Sequence, residues 1–260
     1  MTDIVPNMLY ILWKGGSHIS FAGCLAQFQV YGESLCIVSI LLTVMSYDRY
    51  LAICKPLHYF SIMDAKLQSR LASLTWLSSF IMTLFIIIQM SLLESCRDNV
   101  IDHYFCDFDP FVGLSCTDAY ILKMQVIIIS GVLVVPTFMF IIVTYLYIGL
   151  TIFKINFNSG RQKAFYTCSS HLTVVCIHYG SLMAIYLSST NGQSFNIKKF
   201  LSLLNTFCTP LLNPLIFSLR NMEIKKALLQ LLDGVKNPNV PLSHRVNSVV
   251  GVGAFNKRKM

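Results

Sequence analysis

Charge is what this chain has least of. Only 12% of its 260 residues are Asp, Glu, Lys or Arg, about half of the roughly 25% usual in soluble domains. With 55% hydrophobic residues, a soluble domain of this size would have too few charges to cover its surface, so composition places the chain in a membrane. The Asn-x-Ser/Thr glycosylation signal is missing, and no two cysteines stand in a Cys-x-x-Cys pair of the kind zinc sites favour. A secretory signal is missing too: Asp3 and Pro6 interrupt the start, where a cleaved signal is basic and then apolar. The helices themselves are therefore expected to direct insertion.

The charges that are present alternate by side. Lys and Arg crowd into every second connection: Arg49, Lys55, Lys66 and Arg70, then Lys154, Arg161 and Lys163, then Arg220, Lys225 and Lys226. The connections between hold Glu94, Asp98, Asp102, Asp107, Asp109 and Asp118. This is the positive-inside pattern, with the basic loops in the cytoplasm. The net charge of +8 thus reflects topology in a lipid bilayer, and nucleic acid is excluded as a partner.

Five segments are apolar for the roughly 20 residues that a crossing needs: 22–52, 70–93, 121–150, 164–188 and 198–219. Pro136 falls in the third, and Pro210 and Pro214 in the fifth; such breaks are tolerated where neighbours satisfy the freed carbonyls. Residues 3–12 read as the tail of a further helix stopping before Lys14-Gly15-Gly16. After Asn221, charges alternate with leucines up to Leu232, as in a helix lying on the inner leaflet. From Gly234 the chain is polar and expected to be disordered. The expected fold is all-α, an integral membrane helical bundle over residues 1–233 with a cytoplasmic tail over 234–260.

The run from Val30 to Met45 ends on a charged pair, Asp48-Arg49. A lone charge in hydrocarbon costs several kcal/mol, so this pair must face protein, water or the membrane boundary. The segment Met45-Ser46-Tyr47-Asp48-Arg49-Tyr50-Leu51-Ala52-Ile53-Cys54 resembles the third-helix signature of odorant receptors, a branch of the rhodopsin-like seven-helix receptors. Lys163-Ala164-Phe165-Tyr166-Thr167-Cys168-Ser169-Ser170-His171-Leu172 and Pro210-Leu211-Leu212-Asn213-Pro214-Leu215-Ile216-Phe217-Ser218-Leu219-Arg220-Asn221 resemble later signatures, in the right order. The resemblance runs from about Val5 to about Leu232. Val5-Pro6-Asn7-Met8-Leu9 resembles the end of the second helix, so the expectation is a bundle lacking the first helix and most of the second.

The resemblance implies a multi-pass plasma-membrane receptor that binds a small volatile or weakly polar odorant and activates a stimulatory olfactory-type G protein. It implies no cofactor. It assigns Asp48 and Arg49 to a cytoplasmic switch with Tyr50, Tyr145, His171, Asn213 and Pro214. His171 is read either as a titrating member of that switch or as a helix-end histidine bonded to a carbonyl. Two departures stand out: Phe217 replaces the family's tyrosine, and Val38 replaces an acidic residue. Of nine cysteines, Cys24, Cys96, Cys106 and Cys116 fall outside, where disulfides persist. Four cysteines allow three pairings; the resemblance implies Cys24–Cys106 and Cys96–Cys116. A zinc site with His103 is the rival.

A helix turns about 100° per residue, so Tyr31, eighteen positions before Arg49, shares its inward face. Leu35, Cys36 and Ser39 follow along it. Ile129 and Ser130, Tyr179, Met183 and Tyr186, and Leu203 and Thr206 complete an expected lining that is apolar with a few hydroxyls; the same stripe would also pack a plain bundle core. His178 stands where the family has phenylalanine, free to bond a polar ligand or a backbone carbonyl. Glu33 lies some 200° from Tyr31 and is left open. Other classes fare worse. A transporter or channel would show paired midplane charges or repeats. An intramembrane hydrolase finds no dyad, because Ser169, Ser170 and His171 are helix neighbours pointing apart. A non-signalling fragment retained in the endoplasmic reticulum is the remaining alternative.

Overall fold

The computed structural model describes residues 4–16, 18–94, 100–101, 103–116, 118–154 and 158–188, with Phe200, Ser202 and Thr206 beyond. All of them belong to one unit, Met1–Pro210; a second, Leu211–Met260, lies outside the described residues. The described residues form seven helices in order: α1 (Ile4–Lys14), α2 (Phe21–Cys54), α3 (Tyr59–Ile62), α4 (Ala65–Ser91), α5 (Phe108–Val112), α6 (Tyr120–Phe153) and α7 (Asn158–Ser188). No strand occurs among the described residues.

Four of these, α2, α4, α6 and α7, are long and apolar enough to cross a membrane. Their packing is the reverse of a soluble core. α6 is the most apolar of the four, yet only 6% of its span is buried against protein, whereas Ser46, Thr75 and Thr83 are buried. Apolar side chains face lipid because lipid receives them as well as protein does, and small polar ones turn inward because only protein can bond them. α2 is the hub, packed against α4, α6 and α7.

Local chemistry sets the ends. Ser20 caps α2, its Oγ accepting from the Gly23 N–H at 3.1 Å, and the helix stops before Lys55-Pro56, because a residue preceding proline avoids the helical region. Asp64 caps α4, its Oδ1 accepting from the Leu67 N–H at 2.8 Å. Pro136 stays inside α6, and the next residue, Thr137, donates its hydroxyl to the Leu133 carbonyl at 2.7 Å.

Several helix boundaries extend beyond the sequence expectation, although α4 ends at Ser91, two residues short of it. α1 continues through Lys14 and ends on Gly15 at φ +77°, a left-handed stop suited to glycine. α4 starts five residues before position 70, and α7 starts at Asn158 rather than 164. The cytoplasmic ends of α4 and α7 carry cations, and a helix that satisfies its own backbone extends into water without penalty. The short helices α3 and α5 lie in connections, where apolar periodicity gives no signal. Of the fifth expected span only Phe200, Ser202 and Thr206 are described, all helical. The inner-leaflet helix and the 233/234 boundary lie outside the described residues.

α2 and α4 meet closely at Gly32, where an added Cβ would stand 3.1 Å from Thr83 Cγ2. A Gly32→Val variant should lose about 1–3 kcal/mol from overpacking, seen as a lower unfolding temperature in detergent. Gly131→Ala, with nothing within 4 Å of its new Cβ, should hold that temperature or raise it, because alanine is the better helix former.

Candidate functional site

At the cytoplasmic end of α2, Arg49 Nε stands 3.8 Å from Asp48 Oδ2. The other carboxylate oxygen, Oδ1, accepts from the Tyr59 hydroxyl of α3 at 2.8 Å. The hydrogen bond to Asp48, more than its slight burial, holds the Tyr59 phenol above its ordinary pKa. Asp48 is thereby shared between the arginine beside it and a phenol from the loop. Tyr145, Cys168 and His171 stand on the neighbouring helices α6 and α7.

Those residues are ordered among themselves. Tyr145 of α6 and His171 of α7 stack with ring planes 9° apart and share a hydrogen bond of 2.9 Å between the hydroxyl and Nδ1. The other ring nitrogen, Nε2, is buried without a hydrogen-bond partner among the described residues. Tyr50 packs on Ile148, Ile152 and Cys168 and meets Tyr147 edge-on. Ser169 and Ser170 each donate to the Tyr166 carbonyl, at 2.9 Å and 3.2 Å, as helix serines do. Asn213 and Pro214 lie outside the described residues.

Midway along the bundle, Tyr31, Ser39, Tyr179 and Thr206 are buried, while Leu35, Cys36, Ile129 and Ser130 are half-buried. Met183 corrects the expected lining, because it is 58% exposed. The buried stripe of α7 runs through His171, Val175, His178 and Leu182, and Met183 sits one residue, about 100°, past it. Tyr186 belongs to α7, but its side chain, like Leu203, lies outside the described residues. His178 bonds neither a carbonyl nor open space through Nε2: it meets the Ser39 hydroxyl of α2 at 2.9 Å. Tyr179 donates to Thr137 Oγ1 of α6 at 2.9 Å. Nothing in the local sequence announced these pairings, since Ser39 and His178 stand 139 residues apart.

On the outer side Cys24 and Cys106 form a disulfide across 82 residues, with Cα atoms 5.4 Å apart. Cys116 is also disulfide-bonded; Cys96 lies outside the described residues. Thiols joined this way cannot serve the rival zinc site. His103 instead turns Nδ1 to the Phe105 carbonyl at 3.1 Å and Nε2 toward Asp107 Oδ2 at 4.0 Å. Asp107 caps α5 through the Phe108 N–H and accepts from the Ser202 hydroxyl at 3.5 Å. Burial raises the Asp107 carboxyl above the usual carboxylate range, opposed in part by His103 and by the Phe108 N–H. A cavity of about 990 Å³ opens beside this loop, lined from α1, α2 and the loop and by none of the expected ligand residues. It carried no sequence signal, because three separate connections enclose it.

Long lipid-facing helices around a polar interior, tied outside by a disulfide and ending inside on an Asp-Arg pair, define a multi-pass helical receptor of the plasma membrane. A profile of the olfactory receptor family matches residues 1–234. Olfactory receptor 5G26 of Mus musculus is 41% identical over 227 residues, covering 87% of this chain and 71% of its own length. Olfactory receptor 2C3 of Homo sapiens is 42% identical over 230 residues, with 87% and 71% covered. Olfactory receptor 11H4 of Homo sapiens is 39% identical over 236, with 91% and 73% covered. The chain belongs to the olfactory receptor family, whose members are odorant-binding signalling receptors rather than enzymes.

Asp107 gives a testable pH dependence. Its folded pKa lies above the unfolded one, so its contribution is most favourable below the ordinary carboxylate pKa of about 3.9. That contribution is lost as pH rises through the higher folded value. Asp107→Asn keeps a cap oxygen and removes the buried charge. Its unfolding temperature in detergent should exceed the parent's at neutral pH, and the difference should shrink as pH falls.

Proposed function

We propose that this receptor binds a small, weakly polar odorant between α2, α6 and α7 and activates a stimulatory heterotrimeric G protein through the Arg49 end of α2. The observation that carries the reading is the sharing of Asp48. A carboxylate divided between Arg49 and Tyr59 holds the guanidinium in place only loosely. An exposed pair of this kind contributes at most about 1 kcal/mol. An agonist that favours separated helices by a few kcal/mol is sufficient to free Arg49 for a partner protein, since a ligand shifts an equilibrium by its differential affinity for the two states.

The ligand end rests on Tyr31, Leu35, Cys36, Ser39, Ile129, Ser130, Tyr179 and Thr206, with Leu203 and Tyr186 beside them in sequence. Tyr31 packs against Phe105 of the outer loop, ring centroids 4.8 Å apart, so an odorant below it would lie under a closed aromatic roof. Ser39 and His178 bond each other in the present state. A ligand hydroxyl or carbonyl entering here would compete for that bond, which couples α2 to α7.

The test is odorant-evoked cyclic AMP in cells carrying the receptor at matched surface level. Arg49→Ala should abolish the response while leaving odorant binding intact. Ser39→Ala should shift the half-maximal concentration of a carbonyl or hydroxyl odorant about two- to tenfold, the range of one neutral hydrogen bond. A response unchanged in Arg49→Ala would sink the switch assignment.

A further inference from the structure

The cavity of about 990 Å³ on the outer face is separate from the odorant site proposed above, and one buried side chain gives it chemistry. Gln27 is 2% exposed and lines the cavity. Its Oε1 accepts from the Cys106 backbone N–H at 2.9 Å. That contact fixes the amide, because only the oxygen of a glutamine can face an N–H donor. The Nε2 end then points the other way, and no described residue accepts from it. Two N–H donors are thus offered at the cavity wall without a partner among the described residues.

The orientation is built in. Cys24 lies one helical turn before Gln27 on α2, and its disulfide to Cys106 holds the loop backbone against the glutamine. The rest of the lining selects among acceptors. Ile19, Phe21, Val100 and Phe111 present apolar surface; the ionisable side chains in the described lining include His18, His103 and Glu94, with no lysine or arginine among them. A carboxylate ligand would find no lysine or arginine countercharge and one repelling acid. We infer that this cavity is a second ligand site, an outer vestibule for a neutral carbonyl compound with an apolar body, whose oxygen accepts from Gln27 Nε2. The volume fits, since small-molecule pockets span about 300–1,000 Å³.

Benzophenone, a neutral aromatic ketone that cross-links on irradiation, serves as the probe on the full chain in lipid nanodiscs, with labelled peptides located by mass spectrometry. Label is expected on the segment 100–116 and near His18–Phe21. Excess acetophenone should suppress it and ethylbenzene, which lacks the acceptor, should not. Gln27→Leu should weaken labelling about two- to tenfold. Val100→Trp narrows the cavity at a 73% exposed position, leaves the Gln27 bond intact and should weaken labelling as well. Ser39→Ala, at the bundle site, should leave it unchanged, so failure of the odorant site and failure of the vestibule read differently. Labelling that persists in Val100→Trp, that ethylbenzene suppresses as well as acetophenone, or that falls on α7 instead would overturn the vestibule.

Discussion

Hydrocarbon offers no hydrogen bonds, and the described bundle is arranged around that constraint. A polar side chain carried into a span is best placed against protein, and several polar residues of α2, α4, α6 and α7 become contacts between helices. Gln29 donates to Thr83 at 2.7 Å, Gln89 to Gln125 at 2.7 Å, and Tyr179 to Thr137 at 2.9 Å. Ser39 meets His178, and Tyr145 meets His171. Each bond joins two different helices. Polarity that would be surface decoration in a soluble protein here specifies which helix stands beside which.

α2 packs against each of the other three long helices and also connects the two faces. Its 34 residues span about 50 Å at 1.5 Å each. Cys24 and Gln27 hold the outer loop at one end, Ser39 holds α7 at the middle, and Arg49 closes the other end. A rigid element fastened at three heights transmits tilt rather than absorbing it. The loop, the bundle interior and the cytoplasmic pair are consequently mechanical neighbours, despite their separation.

What could be read from the sequence was whatever is written locally. Apolar runs marked the spans through α7, and the alternation of cations and acids marked the sides. Asp48-Arg49 stood out because a charged pair at the end of a hydrophobic run needs a reason. What could not be read depends on neighbours remote in sequence. Ser39 and His178 were each singled out, but their bond was invisible until two helices were brought together. Met183 fell on the wrong side because a stripe drawn from Tyr179 drifts by one residue from the one that packing selects. Gln27 gave no signal at all, since its partner is a backbone N–H of a distant loop. α3 and α5 escaped for a simpler reason: their few residues are too short to show a helical period.

The Cys24–Cys106 bridge has a consequence for biogenesis. Between its two sulfurs the chain passes through α2 and α4, an even number of crossings, so both cysteines reach the oxidising side only if both helices have traversed the bilayer. A chain in which either helix stalled would leave one thiol facing the reducing cytoplasm, where no partner awaits it. The covalent bond therefore acts as a record of topogenesis, sealed after the second crossing and absent from any misthreaded product.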